Sequence, residues 1–393
     1  MNRLILITNP GSASRKYALY DHETLIASLH FEYENGAVAC TIKDQSGNIK
    51  TLKPDFTDLA DSVAHLKTIL EDEGYLSSQH QLAAILARIV APSDYFTKDH
   101  LVDDEFMKNL EVAKERAPLH VPVIASELAH FRENFQNTKL IAVSDSAFHS
   151  HKPELMKYYP IDTALADKAG IKRYGYHGLS VSSVVHTLET AEILPDKLIV
   201  AHLGSGSSIS AVLEGNAMDT SMGYSPLEGL MMATRSGSID VTAALAIKRE
   251  LNLDDTALEK YLNKKAGLLG VSGFSDDMRD IIQKRDEGDE KATFAHAMFV
   301  YRVQTLIGQM AASLGGVDAL VFTATIGERS SEIRHYVTQK LAYLGFRLDS
   351  AKNKTPEFTG AISNIAASDS KPVYIVRTDE TAAMIRAALK LLD

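Results

Sequence analysis

Cysteine is almost missing from this 393-residue chain. The single residue, Cys40, excludes an internal disulfide and any multi-cysteine zinc site, and it fits a reducing cytoplasm. Positive charge is also short: 41 lysines and arginines against 51 aspartates and glutamates leave a net charge of −10. That balance argues against general nucleic-acid binding, which needs a basic face. Any anion site must therefore be a local gathering of positive groups. No segment approaches the roughly 18 uninterrupted apolar residues of a membrane span, so a membrane partner is not expected. The start of the chain, Leu4 to Thr8, is a short apolar stretch that runs into Asn9-Pro10-Gly11 without a small-residue cleavage pattern, and reads as a first strand. Low-complexity linkers and charge blocks are lacking as well, so domain boundaries have to come from the order of elements.

What is present is ordinary soluble-globular composition, 45% hydrophobic and 23% charged, in a chain longer than one core usually accommodates. Two domains are expected. Strand-like runs recur at 3–8, 16–20, 24–32, 83–90, 139–143, 197–203, 208–213, 319–323 and 373–376. Between them lie helical patterns. Ser126 reads as the N-cap of a helix carrying Glu127, Leu128, Phe131 and Phe135. A long helix is expected from Asp289 to Ser313, with Phe294, Met298, Tyr301, Thr305, Gly308 and Ala312 as its stripe and Gly315-Gly316 as its end. Consecutive strands followed by alternating helices and strands, twice over, predict an α/β protein of two related halves with the ligand in the cleft between them. The first half runs to about residue 147 and the second to about 376. A last helix from Glu380 then returns to the first half or bridges both.

Two glycine-serine turns follow apolar strands half a chain apart. The first holds Asn9, Gly11, Ser12, Ser14 and Lys16, and the second is "GSGSS", Gly204 to Ser208. Each reads alone as a polar hairpin tip or as a backbone cradle for phosphate. Together they fit one polyphosphate gripped from both sides. Neither is a Walker loop, because G-x-x-x-x-G-K-[ST] is absent. Arg88 ends an apolar strand with no acidic neighbour in sequence, so a structural ion pair and a site role stay open. Arg235 stands in a Gly-, Ser- and Met-rich loop and reads as a site residue. Asp145, just past a strand, is a candidate metal-binding or catalytic carboxylate or a turn cap. His177 has glycines at Gly175 and Gly178, which allow close backbone approach, while His149 and His151 find no third ligand and read as structural. The strand-to-helix turn around Gly327, with a helix capped near Ser330-Ser331, is an anion or nucleotide site by position. Glu380 reads first as a helix-opening acid favoured by the dipole.

Assembled, the segments "ITNPGSASRKYAL", "ARIV", "APLHVP", "VSDSAFH", "RYGYHGLS", "AHLGSGSSISAVLEGNAMDTSMGYSPLEGLMMATRSGSID", "GLLGVSGFSDDMRDI", "VFTATIGERSSEIR" and "RTDETAAMI" resemble the acetokinase family, the acetate, propionate and butyrate kinases of the actin, sugar kinase and Hsp70 superfamily. Residues 30–80 show no clear match. The resemblance implies two duplicated actin-like ATPase (ribonuclease H-like) domains around a central cleft, 1–147 plus 377–393 for the acyl and phosphate side and 148–376 for the nucleotide side and dimer interface. It implies reversible transfer of the ATP γ-phosphoryl group to acetate, giving acetyl phosphate and ADP, with Mg²⁺ or Mn²⁺, in a cytoplasmic homodimer. By motif, Asn9 and Glu380 match the metal site, and Ser12, Ser14 and Lys16 the phosphate contacts. Arg88 and Asp145 match the substrate arginine and catalytic aspartate, and His177 and Arg235 the transition-state stabilisers. The nucleotide segments match His202, Leu203, Gly204, Ser205 and Gly206, then Asp277, Met278 and Arg279, then Thr325, Ile326, Gly327, Glu328 and Arg329. Val90, Leu119, Tyr176 and Pro226 line up with the acyl pocket.

Several positions depart from the family pattern. Ser205 stands where asparagine is usual, Thr325 where glycine is, and Arg329 where asparagine is; "ARIVAPS" replaces "HRVVHGG", and Tyr176 stands where phenylalanine is common. These changes raise three alternatives: a longer carboxylate such as propionate or butyrate, an altered phosphoryl donor such as GTP or pyrophosphate, and a catalytically weakened nucleotide-binding relative. Joint retention of Arg88, Asp145, His177, Arg235 and Glu380 argues against the last.

Overall fold

The computed structural model describes residues 2–10, 14–34, 37–77, 80–116 and 121–392. Short turns decide where strands run antiparallel. At Glu214-Gly215 both φ angles are positive, 48° and 78°, the conformation whose twist matches a two-residue hairpin. Longer connections return strands in parallel, and those strands are buried on both faces, as in Ala319–Thr323 and Val373–Val376, where every residue is buried.

The chain falls into two units, Met1–Ala147 with Glu380–Asp393, and Phe148–Asp379. The first holds β1 (Asn2–Pro10), β2 (Ser14–Asp21), β3 (Thr24–Glu34), β4 (Ala37–Asp44), β5 (Ile49–Leu52), β6 (His80–Ile89), β7 (His100–Leu101) and β8 (Lys139–Ser144) in the order β5-β4-β3-β2-β1-β6-β8-β7. The second holds β9 (Lys197–Leu203), β10 (Ser207–Leu213), β11 (Asn216–Thr220), β12 (Ala319–Thr323), β13 (Ile362–Asn364) and β14 (Val373–Val376) in the order β11-β10-β9-β12-β14-β13. One pattern underlies both sheets. β1 pairs antiparallel with β2 and parallel with β6, which pairs parallel with β8. β9 likewise pairs antiparallel with β10 and parallel with β12, which pairs parallel with β14. The two halves therefore repeat one topology, in which the β1–β2 and β9–β10 pairs occupy equivalent positions.

Each sheet packs helices against its own core. In the first unit Leu66 and Leu70 from the helix Ser62–Asp72 and Leu128 and Phe131 from the helix Val121–Asn134 join Leu6, Leu19 and Phe31. That second helix starts five residues before the predicted cap: Ser126 is an exposed mid-helix residue, and Pro122, acceptable in a first helical turn, lies near the start. In the second unit the helix Glu290–Ser313 spans about 36 Å at 1.5 Å per residue. Its buried stripe is Ala292, Ala295, Phe299, Val303, Ile307 and Met310, whereas Phe294 and Tyr301 of the expected stripe are exposed. Apolar residues stand on both faces of this helix, so spacing alone did not select the inward one. Asp289 caps the helix, its carboxylate accepting from Ala292 N at 2.7 Å, and Gly315 and Gly316, both at positive φ, close it. Among the described residues, no helix is long and apolar enough to cross a membrane.

Phe299 is fully buried at the centre of the second core. Phe299→Ala should lower stability by about 3–5 kcal/mol, the usual result of emptying a phenylalanine site, read as a fall in the urea midpoint.

Candidate functional site

In the first unit the parallel register of β6 and β8 sets Arg88 opposite Val143 and Ile89 opposite Ser144, so both strands end together. Asp145, the next residue, is tied there by its own N–H to Ile89 O at 3.0 Å. Arg88 Nη2 donates to Asp145 Oδ2 at 2.8 Å, and Nη1 donates to Glu380 Oε2 at 3.0 Å, in the first turn of the helix Glu380–Leu392. Asp145 is buried, and the side chains of Arg88 and Glu380 are about a quarter to a third exposed. Burial works against the charge on Arg88, but the two carboxylates outweigh it and hold the guanidinium above its ordinary range. Burial, and then the neighbouring Asp145, push Glu380 up from the usual carboxylate range, while Arg88 pulls it down. Arg88 Nε is buried with no hydrogen-bond partner among the described residues, a donor available to an acceptor oxygen. Val90, two residues after Arg88, is half-buried.

The β1–β2 hairpin presents Asn9 and Lys16 as a directly opposed, exposed pair, with Ser14 half-buried two residues before Lys16. Ser12 and Leu119, both expected at the site, lie outside the described residues. Asp145 and Glu380 share one guanidinium, and carboxylate oxygens are the donors a hard divalent cation takes.

The second unit assembles a different group. The stretch "AHLGSGSSIS" is a hairpin, with Ser207 opposite Leu203 and Ser208 opposite His202, and its three-residue turn is Gly204 to Gly206. It is also a point of close approach. A Cβ at Gly206 would stand 3.2 Å from His177 Nε2 and 3.3 Å from Arg235 Nη1, so glycine is what lets the imidazole and the guanidinium meet at this turn. His177 opens the helix Gly178–Thr190 at a positive φ of 59°. Its Nδ1 lies 3.0 Å from Ser208 Oγ, and its ring stacks on His202 at 4.1 Å. His202 is buried, its Nδ1 2.7 Å from Ser180 Oγ. Arg235 Nη1 donates to Pro226 O at 3.4 Å, and the buried Tyr176 hydroxyl donates to Tyr224 O at 2.8 Å. His149 has a structural part, its Nε2 2.9 Å from Tyr176 O.

Beside that turn lies a cavity of about 460 Å³. Gly204, Ser205, Asp277, Met278, Arg279, Thr325, Ile326 and Arg329 line it, together with Ala233, Asp276, Ile282 and Ser330. Leu203 is buried, and Gly206, Gly327 and Glu328 are not among its lining residues. The segment expected as a turn around Gly327 is the short helix Ala324–Arg329, in which Glu328 accepts from Ala324 N at 3.1 Å. Asp277 caps the helix Met278–Asp286 through Arg279 N at 2.8 Å and also grips the Arg279 guanidinium.

The supports of this second group escaped sequence reading. Arg334 is buried and donates to Gly327 O at 2.8 Å, Glu328 O at 2.9 Å and both the side-chain and main-chain oxygens of Asn353. The clue was its place on the buried stripe of the helix Ser331–Gln339, beside Ile333, Val337 and Thr338. Under the loop of Tyr224 to Arg235, Tyr159 donates a short hydrogen bond to Glu228 and accepts from Tyr224 N at 2.9 Å, while Arg173 donates to Thr220 O at 2.7 Å. Lys152, 2% exposed, donates to Arg173 O at 2.7 Å.

A model of the acetokinase family matches residues 4–386. An acetate kinase of Clostridium botulinum is 37% identical over 392 residues, covering 97% of this chain and 98% of that protein. Among solved structures, a propionate kinase from Francisella tularensis superposes with a TM-score of 0.89 at 32% identity, covering 98% of each chain. The acetate kinase of Porphyromonas gingivalis superposes with a TM-score of 0.87 at 31% identity, covering 99% of each.

Burial, and then the charge of Arg173, pull Lys152 down from 10.5 to about 7. Its folded pKa is below the unfolded one, so between those values the unfolded chain holds the extra proton and stability rises with pH; below them the buried charge is a full penalty. Lys152→Met should therefore raise the melting temperature most near about pH 6, with the gain shrinking toward about pH 10. A gain that is flat in pH would contradict this.

Proposed function

The chain belongs to the acetokinase family, and we propose that it transfers the γ-phosphoryl group of ATP reversibly to acetate through the two residue groups described above. Acetate kinase activity makes it a phosphotransferase with a carboxyl acceptor, and the family uses ATP or ADP with a divalent metal. The observation that carries the assignment of roles is Arg88, a guanidinium fixed by Asp145 and Glu380 with one buried donor unspent.

Acetate is already ionised at neutral pH, so no general base is needed to make the nucleophile. The obstacle is repulsion: two unit charges 4 Å apart oppose each other by about 4 kcal/mol at an effective dielectric of 20. Arg88 binds the acceptor carboxylate and neutralises it. Val90, Leu119, Tyr176 and Pro226 shape the acyl pocket, the Tyr176 hydroxyl being engaged with the Tyr224 carbonyl. Asp145 would orient the acceptor, or a water held with the metal, more than it would remove a proton. Ser12, Ser14 and Lys16 contact phosphate, and the cavity beside Gly204 to Gly206 takes the nucleotide. His177 and Arg235 stabilise the charge spread over the transferring group. Asn9 and Glu380 would hold Mg²⁺, which neutralises phosphate charge when bound. Propionate is the second reading, supported by the high-scoring propionate kinase structure.

The helix Val241–Glu250 buries none of its residues in this chain, leaving Val241 69% and Leu245 43% exposed. We assign it to a homodimer contact of the second unit. The single buried cysteine is in keeping with the cytoplasm.

A hydroxamate assay for acyl phosphate across acetate, propionate and butyrate, with ATP, GTP and pyrophosphate at equal metal, should give the highest kcat/KM with acetate and ATP. A preference for another acid or donor would reassign the substrate. Arg235→Ala should lower kcat by about 10³-fold, the scale of an arginine acting on phosphoryl-transfer charge. Asp145→Asn should shift the metal dependence; an unchanged metal requirement with a displaced pH profile would restore a proton-transfer role to Asp145. Leu245→Asp should yield monomers in sedimentation velocity.

A further inference from the structure

We propose that Glu127 is a positioning residue for the first hairpin, holding it from behind so that Asn9, Ser14 and Lys16 face the phosphate and metal. The inference rests on the roles given above to those three residues.

Alternation along the strands divides the hairpin into two sides. Asn9 is paired with Lys16, and both are exposed; Ser14 shares their side by parity. Thr8 is paired with Tyr17 and Pro10 with Arg15, and Thr8, Arg15 and Tyr17 are buried. All three converge on one carboxylate. Glu127, 2% exposed on the helix Val121–Asn134, accepts from Thr8 Oγ1 at 2.9 Å through Oε1, and its Oε2 lies 3.1 Å from Arg15 Nε. The buried Tyr17 hydroxyl interacts with Glu127, which helps to hold that carboxylate ionised against its burial, and lies 2.8 Å from Ser62 Oγ. Arg15 Nη1 reaches the Ser14 carbonyl at 3.4 Å.

The carboxylate therefore holds one partner on the incoming strand and two on the outgoing strand, on either side of the tip. A one-residue slip would exchange the two sides and bring Lys16 to the helix while turning Arg15 outward. An apolar face would oppose that slip as well but would tolerate a slip of two residues, which keeps every side chain on its own side. A carboxylate with an arginine and two hydroxyls does not, because any other register leaves a buried charge unmatched.

The test uses the full-length protein and three variants. Glu127→Gln keeps the size and removes the charge. Arg15→Leu with Glu127→Leu removes the pair together, a replacement that generally preserves folding, and decides the question if Glu127→Gln does not fold. The expected result is a rise of about tenfold or more in the KM for metal-ATP, with the acetate KM within roughly twofold of the parent. Lys16→Ala checks the reading of the hairpin itself. If Lys16→Ala raises the ATP KM and the double variant folds with that KM unchanged, positioning by Glu127 is overturned and the hairpin's role stands. If Lys16→Ala leaves ATP kinetics unchanged, the phosphate-contact reading falls, and this inference with it. Equal rises in both KM values would mark general loss of structure and also overturn positioning.

Discussion

A guanidinium leaves bulk water only when its charge is answered, and the first unit is arranged around that requirement at Arg88. Two carboxylates reach it from elements far apart in the chain: Asp145 at the end of the neighbouring parallel strand and Glu380 at the start of the last helix. Breaking such a set leaves an unmatched charge, which is far more destabilising than the intact set is stabilising. The strand register that aligns β6 with β8 and the docking of the final helix are thus part of the same electrostatic solution. The two carboxylates around Arg88 exceed its single positive charge, so the group as a whole carries a net negative charge.

The repeated topology uses its equivalent turns differently. In the second unit the turn between β9 and β10 has glycine at 206, where the backbone admits the His177 imidazole and the Arg235 guanidinium at close contact distance. In the first unit Glu127 contacts Thr8 of β1 and Arg15 of β2 on the buried side, while Asn9 and Lys16 of the same strands are exposed. One brings an imidazole and a guanidinium against its turn, the other exposes side chains on its two strands. A duplicated scaffold with different turn chemistry suits a reaction with two unlike anionic substrates.

Much of this was legible in the sequence, for physical reasons. Buried parallel strands such as β9 and β12 are near-continuous apolar runs, and Asp289 and Gly315 are cap signals with local causes. The nucleotide-side positions Ser205, Thr325 and Arg329, which depart from the family pattern, all line the cavity beside the second turn. What was not legible is long-range or two-sided. The partners of Arg88 lie 57 and 292 residues away. The helix Glu290–Ser313 is apolar on both faces, so only the packed sheet distinguishes Phe299 from Phe294. The helix expected after Ser126 begins five residues earlier, at Val121, and Glu127 lies on its buried face, where its partners come from strands more than a hundred residues away.

Backbone strain marks where function has taken precedence over folding. Among the described residues, His177 and Ala324 hold φ of 59° and 63°, a region that disfavours side chains with a Cβ by about 1–2 kcal/mol each. Neither is in a hairpin turn where such a conformation would be routine. His177 opens a helix with its ring stacked on His202 and bonded to Ser208, contacts that aim Nε2 at Gly206 and that a relaxed backbone would redirect. Ala324 opens the helix whose next residues, Thr325 and Ile326, face the cavity, with Glu328 accepting its N–H and Arg334 fixing the carbonyls at 327 and 328. In both places the surroundings over-determine an unfavourable conformation by hydrogen bonds from several directions. A scaffold concerned only with its own stability would relax these residues; one that holds an imidazole and a cavity-facing helix start in fixed directions keeps them.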